Sequence, residues 1–430
     1  MLHDAVLTGD QLIRCDLPDR PMAARPAGDG SPLMALEELA GVHSLYNIWL
    51  HPTSAYAQPA LRMALIAEAE TIRAAQGPES VFIDRDASGD ELRSIRTRFR
   101  GDGRRYVINF PSSLWDFFTL DGPAMAHLIS TVAREIGVQM LRPSPGATGL
   151  FIMRQSFKGH AWADALGYRH TLDDGIGIYS SQDLRWRRPI TEEATHAYGY
   201  DVNSAYLACA ASGDFGLAAP ETTSTFQPKL PGFYAVDATP GGRFDGRDLP
   251  SPFTNTYSEH VTGWYAEPLV RFALEQGWAV TIRDGRYWPK GSKHRMMAEW
   301  AAQLWQARMH TEGATRATVK SIITAGIGRL GFTRLGEITE VYRPDWQALI
   351  IAEQRARRLR NVAKYTEMGF TPFAIDSDAL YFASDTPIPI PIADTLGAYK
   401  DVGCFAVIPE LRTGNDNINR LLQSMKTGAA

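Results

Sequence analysis

The sequence predicts an α+β protein of two or three domains, and three observations support this class. The chain has 430 residues, a length that can bury several hydrophobic cores. Its composition, 44% hydrophobic and 21% charged, is that of an ordinary globular protein. Strand-like and helical patterns follow one another between Pro- and Gly-rich breaks at 18–32, 142–149 and 238–253.

The first half of the chain is predicted to be mixed α/β over residues 1–150. Helices are expected in LRMALIAEAETIRAA and AMAHLISTVAREIGV, where apolar residues recur every three or four positions. SVFID and RRYVINF have the composition of strands. Residues 151–200 are expected to form a short helical piece and a connector that ends in HAYGY.

The second half is predicted to begin with strands and then turn helical. Strands are expected in YGYDVNSAYLA, LPGFYAVDA and WAVTIRDGRYW, and helices in MAEWAAQLWQARMH and TRATVKSIITAGIG, the second ended by its glycines. Short strands GFTRL and EITEVYR precede the amphipathic helix DWQALIIAEQRARRLRNVAKYTEMG. PFAIDSD and ALYFAS then pair as a hairpin with two acids at its tip.

Charge is concentrated in one part of the chain. The net charge is -4, yet residues 286–334 carry nine basic and only two acidic residues. QRARRLRNVAK, at 354–364, is a second basic cluster. Each region fits either a groove that binds phosphates or a solvated helix face.

Three widely spaced cysteines, Cys15, Cys209 and Cys404, contain no Cys-x-x-Cys pair, so buried thiols in a reducing cytoplasm are expected. The N-terminus has no basic segment followed by an apolar one, and no apolar run approaches eighteen residues. The sequence thus predicts a cytoplasmic protein that neither spans nor binds a membrane.

Carboxylates are the strongest chemical signal. Asp376 and Asp378 are two residues apart on a predicted strand, so their side chains are expected on one face, although Asp-Ser-Asp is also ordinary turn chemistry. Asp201 ends the strand AYGYD. Three such acids suit Mg²⁺ or Mn²⁺. Two such ions, roughly 4 Å apart, can activate a hydroxyl and stabilise a leaving pyrophosphate. Lys320 and Arg308, on the predicted helices, would add positive charge for the same phosphates.

These residues resemble the motifs of family B DNA polymerases, and the likeness is nearest to the protein-primed branch. DVNSAYL resembles motif A, Asp-x-x-Ser-Leu-Tyr-Pro; KSIITAGIG resembles motif B, Lys-x-x-x-Asn-Ser-x-Tyr-Gly; and AIDSDA resembles motif C, Tyr-x-Asp-Thr-Asp-Ser. Their order and spacing agree over roughly residues 145–403. More than a hundred residues separate the first two motifs, as in the protein-primed branch.

The resemblance implies a role for each residue. Asp201 and Asp378 would bind two metal ions, Mg²⁺ or Mn²⁺, and Asp376 would assist as a third catalytic acid. Tyr206 would lie under the sugar of the incoming nucleotide and exclude a 2′-hydroxyl. Lys320 would contact the α-phosphate and Arg308 the outer phosphates, while Ser204 and the amides from Val202 to Ala205 would cradle the triphosphate.

The resemblance also implies a domain plan. Residues 1–150 would be an α/β exonuclease-like or replaced domain, and 151–200 a connector. A palm, an antiparallel sheet with the catalytic carboxylates, would comprise 201–285, with an insertion, and 331–403. Helical fingers would occupy 286–330, and 404–430 would be a truncated thumb or tail.

The chain departs from the family pattern at several positions. Thr324, Ala325 and Ile327 replace the Asn, Ser and Tyr of motif B, and loss of an aromatic that stacks on a base, worth about 1–3 kcal/mol, should loosen nucleotide selection. Leu207, Ala374 and Ala379 are further differences in motifs A and C.

Two segments outside these motifs also depart from the family pattern. No Asp-x-Glu precedes residue 200, and Asn109 and Asp116 resemble the second exonuclease motif at the wrong spacing, so no proofreading is expected. The Lys-x-Tyr that grips a primer is missing after motif C.

Three functions fit these observations. The first is a nucleotidyltransferase, a family B-like DNA polymerase that adds deoxynucleotides to a DNA or protein hydroxyl in short or specialised synthesis. Its partners would be DNA, deoxynucleoside triphosphates and a terminal protein or other protein primer. The second is a polymerase-fold module with weak catalysis that binds a DNA end or a terminal protein. The third, a metal phosphoesterase, would explain the acids but not Lys320.

Overall fold

The protein is described from a computed structural model. The described residues are 3–9, 11–24, 31–77, 80–85, 92–98, 105–112, 114–158, 160, 181–331 and 342–412. Over these residues the fold is α+β. The chain divides into two compact units, Met1–Gln155 with Gln303–Arg329, and Ser156–Ala302 with Leu330–Ala430.

Helices and strands alternate along both units. The helices are α1 Pro32–Val42, α2 Pro59–Gln76, α3 Gly122–Glu135, α4 Pro145–Ser156, α5 Ala205–Ser212, α6 Glu267–Glu275, α7 Ala298–Met309, α8 Gly313–Leu330, α9 Pro344–Glu367 and α10 Pro409–Arg412. The strands are β1 His3–Leu7, β2 Gln11–Arg14, β3 Met22–Ala23, β4 Leu45–Leu50, β5 Val81–Arg85, β6 Leu92–Arg98, β7 Arg105–Asn109, β8 Arg185–Arg187, β9 His196–Val202, β10 Phe215–Gly216, β11 Glu221–Thr223, β12 Gly232–Thr239, β13 Val261–Ala266, β14 Ala279–Tyr287, β15 Lys293–His294, β16 Pro372–Asp376, β17 Ala379–Ala383 and β18 Tyr399–Ala406.

The first unit contains a mixed seven-stranded sheet in the order β3-β2-β1-β4-β7-β6-β5. β1, β4 and β7 are parallel, and the other pairs are antiparallel. Local signals begin two of its helices: the Ser31 hydroxyl accepts from the Met34 amide at the start of α1, and the Asp121 carboxylate accepts from the Ala124 amide at the start of α3. The mixed α/β region predicted for the N-terminal part is confirmed.

The second unit contains a five-stranded antiparallel sheet in the order β18-β9-β17-β16-β8. Helix α9 covers one face, where Leu359, Val362 and Tyr365 pack with Leu380 and Phe382. A four-stranded antiparallel sheet, β11-β14-β12-β13, lies within the segment between the first two motifs. The predicted hairpin and the long helix before it are confirmed as β16–β17 and α9.

Three expectations about the elements are wrong. The strand predicted through YGYDVNSAYLA ends at Val202, because Ser204 adopts a left-handed φ of 51° and α5 begins at the next residue. Helix α8 does not stop at its glycines and continues to Leu330. Cys15 and Cys209 are buried, but Cys404 on β18 is exposed.

Other expectations lie beyond what can be described. Most of GFTRL and EITEVYR, and all of 413–430 in the predicted thumb or tail, lie outside the described residues. The predicted fingers segment, 286–330, is divided between the two units. The names palm, fingers and thumb therefore stay predictions. No helix among the described residues is long and apolar enough to cross a bilayer.

Candidate active site

The five-stranded sheet brings two of the predicted acids together. Asp201 is the penultimate residue of β9, and the neighbouring strand β17 pairs Leu380 with Tyr200. This register places the turn before β17, which carries Asp378, beside the end of β9. The carboxyls of Asp378 and Asp201 share a hydrogen bond.

That contact changes the acidity of the pair. Burial, the charge of Asp201 and the hydrogen bond with it raise the pKa of Asp378 from its usual 3.8 to about 7. Two carboxylates that share a hydrogen bond cannot both ionise without a large cost in repulsion. Either one of them keeps a proton, or a cation lies between them. The pair therefore holds a proton near neutral pH, and a divalent cation would relieve the same repulsion.

Asp376 has a different environment. It is the last residue of β16, it is opposite Arg185 in β8, and its Oδ1 is 3.7 Å from the Arg185 Nε. Ser377 follows with a left-handed φ of 57°, so Asp378 belongs to the turn. The rule that residues two apart share a face of a strand does not apply across such a turn, so the expected common face is not the reason that Asp378 meets Asp201.

Lys400 is part of the site and was missed from the sequence. It lies opposite Asp201 in the β18–β9 ladder, and its Nζ is 2.9 Å from Asp201 Oδ2. Oδ1 of Asp201 accepts the Val202 amide at 2.9 Å. Only the order of the sheet brings Lys400 to Asp201, because the two residues are far apart in the chain and no motif links them.

Helix α9 supports the turn from behind. The Gln354 side chain donates to the Ser377 carbonyl at 2.9 Å, and Arg358, one helical turn later, approaches the Asp378 carbonyl at 3.5 Å. Both side chains are almost fully buried. The basic cluster 354–364 is thus not simply a solvated face: Arg355 is also buried and donates to the Ser251 carbonyl at 2.8 Å.

The predicted nucleotide-binding residues near motif A surround the same turn. Tyr206, in the first turn of α5, directs its hydroxyl to the Asp183 carboxylate and to Ser377 Oγ, 3.1 Å away. Ser204 precedes α5 without capping it through its side chain. The Val202 amide, expected to face a triphosphate, donates to Asp201 instead.

Arg308 and Lys320 lie in the first unit, on α7 and α8. Lys320 is exposed, and its carbonyl accepts the Thr324 hydroxyl at 3.1 Å. Their contacts with phosphates stay predictions. In the same unit, Asn109 is buried at the end of β7 and Asp116 is exposed, so the two differ in environment.

The oxygen ligands at the end of β9 are few. Within the described ranges, no group of three or more His, Cys, Asp and Glu side chains forms a metal site. Two carboxylates, those of Asp201 and Asp378, are brought together, and burial together with the charge of Asp201 raises the pKa of Asp378. Asp201 and Asp378 therefore offer the oxygen ligands that a hard cation such as Mg²⁺ takes, with water and substrate oxygens completing the shell.

Comparison with known proteins identifies the fold but not a sequence family. No protein-family model matches the chain, and no curated protein matches it by sequence. Among solved structures, phi29 DNA polymerase complexed with primer-template DNA and incoming nucleotide substrates matches with a TM-score of 0.65. The chain has the fold of phi29 DNA polymerase.

This match covers 94% of the chain and 84% of the phi29 polymerase chain, at 11% sequence identity. Phi29 DNA polymerase complexed with single-stranded DNA matches with a TM-score of 0.63 over 92% of this chain and 81% of the other, at 12% identity. Phi29 DNA polymerase is a protein-primed family B polymerase. The resemblance predicted from three short motifs is thus confirmed at the level of the fold.

Proposed function

We propose that the protein is a DNA polymerase-like nucleotidyltransferase that adds deoxynucleotides to a DNA or protein hydroxyl. One observation carries the proposal: in a chain with the phi29 polymerase fold, Asp201 and Asp378 share a hydrogen bond at the end of β9. Such a pair needs a cation when both members ionise. The expected products are short or specialised, made without proofreading.

The chain's own residues have distinct roles in this proposal. Asp201 and Asp378 bind the divalent ions, Mg²⁺ or Mn²⁺, and Asp376, paired with Arg185, adds negative charge beside them. When bound, these ions would polarise the primer hydroxyl and offset charge on the triphosphate. Tyr206 forms a wall against the sugar, and Lys320 and Arg308 bind phosphates. Ser204 and the amides after Val202 hold the triphosphate.

The phi29 structures contain primer-template DNA, single-stranded DNA and incoming nucleotides. We propose DNA and deoxynucleoside triphosphates as partners of this chain too, with a terminal protein or other protein primer as the source of the first hydroxyl. The proposed location is the cytoplasm.

The test is incorporation of labelled deoxynucleotides on a primed template, with Mg²⁺ or Mn²⁺ and with or without candidate protein primers. Asp201→Asn and Asp378→Asn should each lower the rate about 100-fold or more, because each removes a charge that the reacting groups require. Asp385→Asn is the matched control, since this exposed acid accepts from the Thr195 amide at 2.8 Å, away from the pair. Incorporation that survives both substitutions would refute the assigned site.

A second function is favoured by the ion pair between Lys400 and Asp201. A lysine that neutralises Asp201 without a metal ion is what a polymerase-fold module that binds a DNA end or terminal protein, without strong catalysis, would retain. DNA binding by the wild-type protein with no incorporation under any metal or primer condition would support this alternative.

A further inference from the structure

A chain of polar contacts leads from the buried side of α9 to Tyr206. Arg355 Nη1 donates to Asn255 Oδ1 at 2.9 Å, and Asn255 Nδ2 donates to the Asp183 carbonyl at 3.0 Å. The Asp183 carboxylate then accepts the Tyr206 hydroxyl. Because Arg355 is 1% exposed, this series of polar contacts begins in the core of the unit.

Asp183 is well suited to hold the phenol as a donor. Burial and the hydrogen bond with Asp183 raise the pKa of the Tyr206 phenol well above its ordinary value, so the hydroxyl keeps its proton. The charge of Asp378 contributes to the same shift. A donor to a carboxylate makes a stronger bond than a donor to a neutral group.

The second contact of the hydroxyl joins the ring to the turn. Ser377 Oγ is 3.1 Å from the Tyr206 hydroxyl, and Ser377 is the residue with the left-handed φ between Asp376 and Asp378. A tyrosine ring otherwise pivots about two side-chain torsions. With the hydroxyl held at two points, the ring keeps one position relative to Asp378.

We propose that Asp183 is a positioning residue that fixes the Tyr206 ring beside the carboxylate pair and thereby sets discrimination between deoxyribose and ribose. The inference rests on the proposed nucleotidyl transfer. Asp183 precedes all three polymerase motifs and belongs to none of them. Its role depends on the hydroxyl of Tyr206, whereas exclusion of the 2′-hydroxyl depends on the ring.

The test measures kcat/KM for dATP and for ATP in Tyr206→Phe, Asp183→Ala and the double variant. Tyr206→Phe keeps the ring and removes its tether, and Asp183→Ala removes the acceptor. Each should lower the dATP-to-ATP ratio on the order of tenfold, the effect of losing one hydrogen bond to a charged group. The double variant should be no worse than either single variant, because both remove the same contact.

Two further variants separate positioning from a general effect on folding. Asp183→Asn keeps an acceptor oxygen and should retain most of the discrimination, and it carries the test with Tyr206→Phe if Asp183→Ala does not fold. Tyr206→Ala removes the wall itself and should lower the ratio more than Tyr206→Phe. Thermal unfolding of each variant establishes that the folded protein is compared.

Two results would overturn this inference while leaving the proposed function intact. The first is incorporation by the wild type with an unchanged dATP-to-ATP ratio in Tyr206→Phe and Asp183→Ala. The second is a double variant in which the two reductions of that ratio multiply. Wild-type protein that incorporates neither nucleotide under any condition would overturn the proposed function and this inference with it.

Discussion

At the scale of single residues, the unusual feature is a partly buried acid, Asp378, whose pKa is raised to about 7. Asp378 shares a hydrogen bond with Asp201, and the repulsion between them adds to the cost of burial. Lys400 offsets part of this charge from the β18 side. Arg358 also lowers the pKa of Asp378, but burial and the contact with Asp201 outweigh its charge.

The raised pKa of Asp378 predicts how stability depends on pH. Between about pH 4 and about pH 7 the folded state holds a proton that the unfolded state has released, so the free energy of unfolding falls as pH rises through this window. Asp378→Asn should remove part of this fall and should unfold at a higher temperature than wild type at about pH 8 in a chelator. Calorimetry across this pH range measures it.

The pH dependence assigned to Asp378 needs a control variant, and a second acid contributes to the same measurement. Asp376→Asn, which alters an acid paired with Arg185, should leave the fall in place. Asp4, buried in β1 with a pKa raised by burial to about 7, contributes a separate part of the same sign in the other unit. Mg²⁺ should raise the unfolding temperature of wild type at about pH 8 but not that of Asp378→Asn. If wild type and Asp378→Asn showed the same dependence of unfolding free energy on pH, the assignment of the fall to Asp378 would be contradicted.

Lys400 predicts a competition with divalent cations. Lys400→Met removes the ammonium from Asp201 Oδ2 while keeping the length of the side chain. In metal-free buffer the free energy of unfolding should fall by about 1 kcal/mol or less, since the pair is partly exposed to solvent. Millimolar Mg²⁺ should then raise the unfolding temperature more than it does for wild type, because the cation no longer displaces a lysine.

Lys293→Met provides the matched control. Lys293 also forms an ion pair, with its Nζ 2.5 Å from Asp214 Oδ2, but it does not contact the carboxylate pair. Its response to Mg²⁺ should equal that of wild type. A smaller shift in Lys400→Met than in wild type would mean that Lys400 supports cation binding instead of opposing it.

At the scale of elements, helix α9 holds the turn that carries Asp378. Gln354 and Arg358, four residues apart on α9, both approach carbonyls of the turn that carries Asp378.

Helix α4 makes a different kind of contact with α8, through small residues. A Cβ on Gly149 would lie 2.7 Å from the Ile322 carbonyl oxygen and 2.8 Å from Gly326 Cα.

The close contact between α4 and α8, called the seam below, predicts opposite effects on stability for two glycine-to-alanine changes. Gly149→Ala should lower the free energy of unfolding by about 1–3 kcal/mol, because the methyl group meets backbone atoms that cannot give way. Gly328→Ala, later in α8, places a methyl group where no heavy atom lies within 4 Å and should raise it by up to about 1 kcal/mol. Chemical denaturation measures both, and a stable Gly149→Ala would refute the close packing.

The same seam explains why α8 passes its glycines. The glycines of TAGIG suggest a helix end, since glycine disfavours helices. Gly326 instead lets α4 approach, and the packing outweighs its low propensity. Propensity is a local quantity, whereas the space left by a neighbouring helix is set by the tertiary structure.

At the scale of the whole molecule, the fold is shared with a polymerase at 11% identity. Such low identity is compatible with one fold because packing tolerates many combinations of apolar residues if their pattern is kept. Hairpin β16–β17, helix α9 and strand β14 were all predictable from short-range periodicity. The strands β1, β2, β4 and β6 were not predicted, and β4 has both of its partners, β1 and β7, far from it in the chain.

The sequence by itself determined the α+β class, the hairpin with its acidic tip and the likeness of three motifs to one polymerase family, since periodicity and motif spacing are written in neighbouring residues. Only the tertiary structure decided which acids meet. A left-handed Ser377 and the register of β17 on β9 bring Asp378 to Asp201, while Asp376 contacts Arg185. Lys400 and Asp183 joined the site for the same reason: strand order and loop packing connect residues that no local pattern relates.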